Sequence, residues 1–191
     1  MKERLYKKIN CAGLLAIFMF SGFLLSGQSA VVPGAEQEIG VVENLDAYLP
    51  EDIFLISENG EQVTLNEIID KPTIINLVYY RCPGICSPLM EAVAGVMDKS
   101  KLVPGEDYQV LTISFDPTET IDLGVRKKKN YINLMAKNNE AAKAGWLFFV
   151  SDSASISRLT RTTGFRYKRT GNDFLHAASL TVVSPDAKIT R

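Results

Sequence analysis

Residues 73–80, TIINLVYY, constrain the fold more than any other stretch of the chain. A near-continuous β-branched and aromatic run offers no polar face, so it reads as a strand buried on both sides of a sheet. It runs into Arg81–Ser87, a loop entering a helix on which Leu89, Val93, Val96 and Met97 recur at helical spacing. VLTISF (110–115) and WLFFV (146–150) are two more buried strands. Asp116–Pro117 ends the first of these, and Thr118 or Thr120 caps a helix carrying Leu123, Tyr131, Leu134 and Met135. A helix over 151–163, capped by Ser151, Asp152 or Ser153, turns Ile156 and Leu159 inward. Strands alternating with helices predict βαβ units and an α/β sandwich with some parallel pairing.

The flanking elements are shorter. Phe54–Ser57 and Gln62–Leu65 predict an N-terminal hairpin around Asn59–Gly60, and Thr64–Asp70 a single helical turn. Phe165–Lys168 is an extended piece, residues 170–177 a loop, and SLTVVSP (179–185) a fourth strand with a turn at Pro185–Asp186. A further strand begins at Lys188–Arg191, where the sequence stops, so the helix that would cover that face is expected to be missing. Tyr79, Tyr80, Trp146, Phe148 and Phe149 read as packing residues.

Of 191 residues, 46% are hydrophobic and 23% charged, the balance of one globular domain plus a tail. Lys2, Arg4, Lys7 and Lys8 precede an apolar run over 11–25 and then small residues, the pattern of a secretory leader. Fifteen helical residues span about 22 Å, short of the ~30 Å hydrocarbon core, which favours a cleaved signal over an anchor. Gln28 fits a cleavage site poorly, so the anchor reading stands beside it. Residues 1–30 are thus signal peptide or N-terminal anchor, 31–48 a linker with an extended approach, and 49–191 the domain. Cys11 falls in the leader and is incidental. Residues 31–191 hold 17 basic and 21 acidic side chains, a net of −4, with no electrostatic reason to meet nucleic acid. Arg126–Lys129 on the second helix reads as a solvated face or a docking face.

That leaves two cysteines and one histidine after the leader. In an exported protein a cysteine pair is often a structural disulfide. Yet Cys82-Pro83-Gly84-Ile85-Cys86 joins a buried strand to a helix, and its spacing brings both sulfurs to one side of the first turn. The helix N-terminus and Arg81 favour thiolate. Two soft thiolates suit Cu(I), and an imidazole completes a three-coordinate site. His176, taken alone, reads more readily as an ordinary loop or interface residue than as a ligand.

The chain resembles the Sco/SenC family of copper chaperones for cytochrome oxidase assembly from about Leu49 to Arg191. NLVYYRCPGICSPLM (76–90), ISFDPTET (113–120) and FLHAASLTVVSPDAKITR (174–191) carry the likeness. It implies a thioredoxin-like three-layer sandwich with a central mixed sheet, and Cu(I) or Cu(II) bound by Cys82, Cys86 and His176. Asp116 holds the family's Asp-Pro position, where it either orients the histidine or a water, or only ends the strand. Arg81 either shields thiolate charge or is solvated. Ser87 departs from the family, where proline is common, as does the missing last helix.

Two functions compete. The resemblance implies a metallochaperone that delivers copper to the copper-bearing subunit of cytochrome c oxidase and exchanges it with other copper chaperones. The alternative is a thiol–disulfide oxidoreductase acting on the oxidase cysteines, with Cys82 as nucleophile and Cys86 as resolving thiol. Against it, thioredoxin-like exchangers carry a cis-proline where this chain reads His176-Ala177-Ala178-Ser179. Enzymatic activity is not expected beyond that thiol chemistry. Location is expected to be the periplasm or outer face of the inner membrane, membrane-proximal only through the N-terminal segment.

Overall fold

The computed structural model describes residues 39–191. The leader and residues 31–38 of the expected linker lie outside the described residues. From Ile39 onward that linker is tied down. Gly40–Val41 (β1) pairs antiparallel with Phe165–Thr170 (β7), and the Asn44 amide donates to the carbonyls of Arg161 and Thr162.

The central sheet is built around TIINLVYY as expected. Thr73–Val78 (β4), Gln109–Ser114 (β5) and Trp146–Ser151 (β6) run parallel, and Leu180–Val183 (β9) is antiparallel beside β4. On the far side, Phe54–Ile56 (β2) and Gln62–Thr64 (β3) form the predicted hairpin against β6. The six-stranded order is β3-β2-β6-β5-β4-β9, a mixed sheet. Residues 188–190 return along β9, with the Thr190 N–H donating to the Val182 carbonyl at 2.8 Å.

Helices follow strands where the near-continuous apolar runs give way to an apolar period of 3.6. Leu65–Ile68 (α1) is the single turn, with the Glu67 carboxylate accepting from the Thr64 N–H at 2.8 Å. Cys86–Lys99 (α2) buries Met90, Val93, Ala94 and Met97, while Val96, expected inward, is 70% exposed. Val96 instead lines an apolar groove with Leu89, Leu102, Leu180 and Val182. Ile121–Ile132 (α3) starts at Thr120, and its Tyr131 ring packs on Trp146. The helix ends before Leu134, which is therefore exposed. Lys128 is no part of a solvated or docking face: it is buried, bonded to both Glu58 oxygens and to the Lys143 carbonyl. Asn139–Gly145 (α4) is a short helix with no counterpart in the sequence reading. Asp152 caps Ser153–Thr162 (α5), accepting from the Ala154 and Ser155 N–H groups. Trp146, Phe148, Phe149, Tyr79 and Tyr80 are all buried. Among the described residues, no helix is long and apolar enough to cross a membrane.

The stretch 170–177 is not a loop. Asp173–His176 (β8) pairs antiparallel with β7, and Gly171 at φ +64° with Asn172 makes the two-residue turn. A three-stranded sheet, β1-β7-β8, results. Its aromatic face packs at Phe115, whose ring centroid lies 5.3 Å from Phe165, 4.7 Å from Tyr167 and 5.3 Å from Phe174. Gly164 sets the entry to β7 at φ +68°, where a Cβ would meet the Val42 carbonyl at 1.8 Å. Gly164→Ala is accordingly expected to lower the unfolding free energy by about 2–4 kcal/mol in urea titration, from left-handed strain plus overpacking.

Candidate metal centre

Val78 of β4 and Ser114 of β5 are parallel partners, so both strands end at the same edge of the sheet. In an open α/β sheet this is where loops gather ligands. The CPGIC loop and the DPTET turn consequently lie side by side.

Cys82 and Cys86 are free thiols, 7% and 1% exposed. His176, the last residue of β8, is half-buried. Its Nε2 lies 3.9 Å from the Cys82 sulfur and 3.5 Å from the Cys86 sulfur. The three donor atoms lie within 4.8 Å of one another, a spacing one metal ion can bridge. The residues named from sequence are thus brought together by elements 90 residues apart.

The imidazole is oriented by its backbone neighbour. Nδ1 is 2.9 Å from the Ala177 carbonyl, which can only accept, so Nδ1 carries a proton and Nε2 is the nitrogen turned on the sulfurs, a donor to thiolate when protonated and a metal ligand when not. Tyr79 and Phe115 hold the ring edge-on, at centroid distances of 5.6 Å and 5.2 Å. The Tyr79 hydroxyl also donates to the Asp173 carboxylate at the start of β8. Tyr79 is therefore packing and site support at once.

The two thiols differ. Burial pushes Cys82 up, but the His176 imidazole, the backbone N–H groups of Cys86 and Gly84, and the Cys86 thiol outweigh it and hold the group below its ordinary value. Burial pushes Cys86 well up, helped by the Cys82 sulfur and the Glu119 carboxylate. The expectation that helix and arginine favour thiolate is met at Cys82 only in outcome, through the imidazole and the N–H groups at the helix start and not through Arg81, and it reverses at Cys86, where burial wins. Cys82, the more exposed and more thiolate-like, is expected to react with iodoacetamide at least about tenfold faster than Cys86 at pH 7. Mass spectrometry of single-cysteine peptides measures this, and equal rates would contradict the asymmetry.

Arg81 does not shield the sulfurs. Its guanidinium pairs with Asp116 at 3.2 Å and Glu119 at 3.3 Å and donates to the Thr118 hydroxyl at 2.7 Å. Asp116 faces Arg81, Arg169 and Thr118; the histidine's Nδ1 is served by Ala177. Burial pushes the Tyr131 hydroxyl up, and the Ser87 side chain pulls the other way.

Glu119 escaped the sequence reading. Its side chain is fully buried and accepts from the N–H groups of Tyr80 and Arg81 at 2.5 and 2.7 Å and from the Ser114 hydroxyl at 2.7 Å. It pins the backbone immediately before Cys82. No spacing rule marks it, because its partners come from another strand end.

A family model described as SCO1/SenC matches residues 46–191. Protein SCO1 homolog 1, mitochondrial, of Arabidopsis thaliana is 24% identical over 139 residues, which is 72% of this chain. The chain spans only 40% of that relative's length. A crystal structure of a candidate electron transfer protein from Aquifex aeolicus VF5 is similar at TM-score 0.66 and 29% identity, covering 77% of this chain and 82% of that one. Arabidopsis thaliana ScoI, solved with copper bound, shares the fold at TM-score 0.58 and 21% identity, covering 77% and 85%.

Proposed function

This chain belongs to the SCO1/SenC family, and on that premise we propose that it binds one copper ion through Cys82, Cys86 and His176 and delivers it to the dinuclear copper centre of cytochrome c oxidase. The observation that carries this reading is the Cys–Cys–His cluster with the Nε2 of its imidazole turned on the sulfurs. Two sulfurs and one nitrogen at this spacing suit Cu(I), and a borderline imidazole also tolerates Cu(II). A solved Sco protein of the same fold carries copper.

Copper is cargo here. Taking it up requires Cys86 to lose its proton, so loading releases acid. The sulfurs are less open than a loop site would be, and Cys82 is the more exposed of the two. Of the three donors only the imidazole is neutral, and it sits on its own hairpin. His176 is therefore the donor that yields first when an acceptor thiolate arrives, without separating charge.

Delivery implies an exported protein at the periplasmic or outer face of the inner membrane, with residues 1–30 as signal or anchor, 31–48 leading out, and 49–191 as the working domain. The test mixes the copper-loaded full chain with the copper-free dinuclear-centre domain of the oxidase subunit and follows the purple-centre absorption. Copper should leave this chain at one ion per chain. No purple centre, with the copper-free reduced chain instead reducing the acceptor's disulfide and ending with its own Cys82–Cys86 disulfide, would favour the second reading. That reading draws on the split between the two thiols, which suits Cys82 as attacking and Cys86 as resolving group.

A further inference from the structure

The two elements that carry the donors are also joined away from the sulfurs, through one carboxylate. Asp116 is buried, and its Oδ2 accepts from Arg81 at 3.2 Å. Its Oδ1 accepts from the Thr118 N–H and hydroxyl at 3.0 and 2.7 Å and lies 3.7 Å from the guanidinium of Arg169. Arg81 adjoins Cys82. Arg169 stands on β7, two residues beyond Tyr167, which is the strand partner of His176. Arg169 also lies over the Phe174 ring at 4.6 Å, and Phe174 packs on Tyr79 at 5.2 Å.

We propose that Asp116 is a positioning residue that braces the His176 hairpin against the cysteine loop through Arg169 and Arg81. It thereby sets the reach of the imidazole to the sulfurs. This rests on the copper reading for its consequence, though the brace itself belongs to the metal-free protein. Between the two arms lies a cavity of about 470 Å³, lined by Tyr79, Arg81, Pro83, Asp116, Arg169 and Asp173, so side-chain packing does not oppose movement of the hairpin there. Without the carboxylate, two guanidinium groups face each other across that space and repel. Arg81 keeps Glu119, so the cysteine loop stays in place and the hairpin is the part that shifts.

The experiment measures Cu(I) affinity of the full chain by chelator competition for Asp116→Asn and Arg169→Gln, each with His176 present and with His176→Ala. Affinity should fall about tenfold, the scale for losing an outer partner of a metal ligand, when His176 is present. It should not fall further when His176 is already gone. Equal losses in both backgrounds, or no loss in either, overturn the brace. Arg169 is half exposed, so its variant carries the test if Asp116→Asn fails to fold. The histidine is the only one in the chain, so its nitrogen resonances in the metal-free protein give a second readout. Both variants should shift or broaden the Nδ1 and Nε2 signals, and unchanged signals overturn the proposal. If parent affinity ignores His176 altogether, the copper reading fails, while those signals still decide the brace.

Discussion

Replacing His176 with alanine is expected to weaken Cu(I) binding by at least about 100-fold, the upper end of what losing even an outer partner of a ligand costs. The loss is large because nothing nearby can substitute. The histidine is the only one in the chain, and Cys82 and Cys86 are the only cysteines among the described residues. Its ring is fixed by Ala177, Tyr79 and Phe115, so in the parent little ordering remains to oppose coordination. The same substitution leaves both sulfurs in place, and the Cys82–Cys86 disulfide should still form on oxidation. Chelator competition and thiol counting check the two halves. A variant that holds copper as tightly as the parent would remove the histidine from the site.

The second large effect belongs to a residue that touches no metal. Glu119→Ala is expected to destabilise the chain by about 3–5 kcal/mol, as when one partner of a buried charged group is deleted. It strands the Tyr80 and Arg81 N–H groups and the Ser114 hydroxyl, all of which now end on a fully buried carboxylate. Each orphaned donor costs about 1–3 kcal/mol. Glu119→Gln, which keeps an acceptor, should lose less. Urea unfolding measures both, and a loss below about 1 kcal/mol for alanine would mean that the loop before Cys82 does not depend on this clamp.

Much of this was legible because two signals are local. A strand buried on both faces needs a near-continuous run of apolar and β-branched residues, and TIINLVYY, VLTISF and WLFFV are such runs. Soft ligands are few, so two cysteines and one histidine point to a site before any geometry is known. The misses share a cause as well. Helical spacing identified the face carrying Val96, but spacing does not say whether anything covers that face, and Val96 is exposed. The strand bearing His176 is only four residues long, and its pattern is weak, although Gly171–Asn172 is a hairpin turn pair. Asp116 and Arg81 were each read alone, whereas they are partners 35 residues apart, brought together by parallel strand ends. Glu119 and Lys128 look like surface charges in the sequence. Both are buried, because each satisfies main-chain groups that would otherwise be unpaired.

The most direct measurement of the central claim is copper X-ray absorption on the reduced full chain loaded with one equivalent of Cu(I). A shell of two sulfurs and one nitrogen, with the nitrogen lost in His176→Ala, is the predicted result. An all-sulfur shell that does not change with His176→Ala would contradict it.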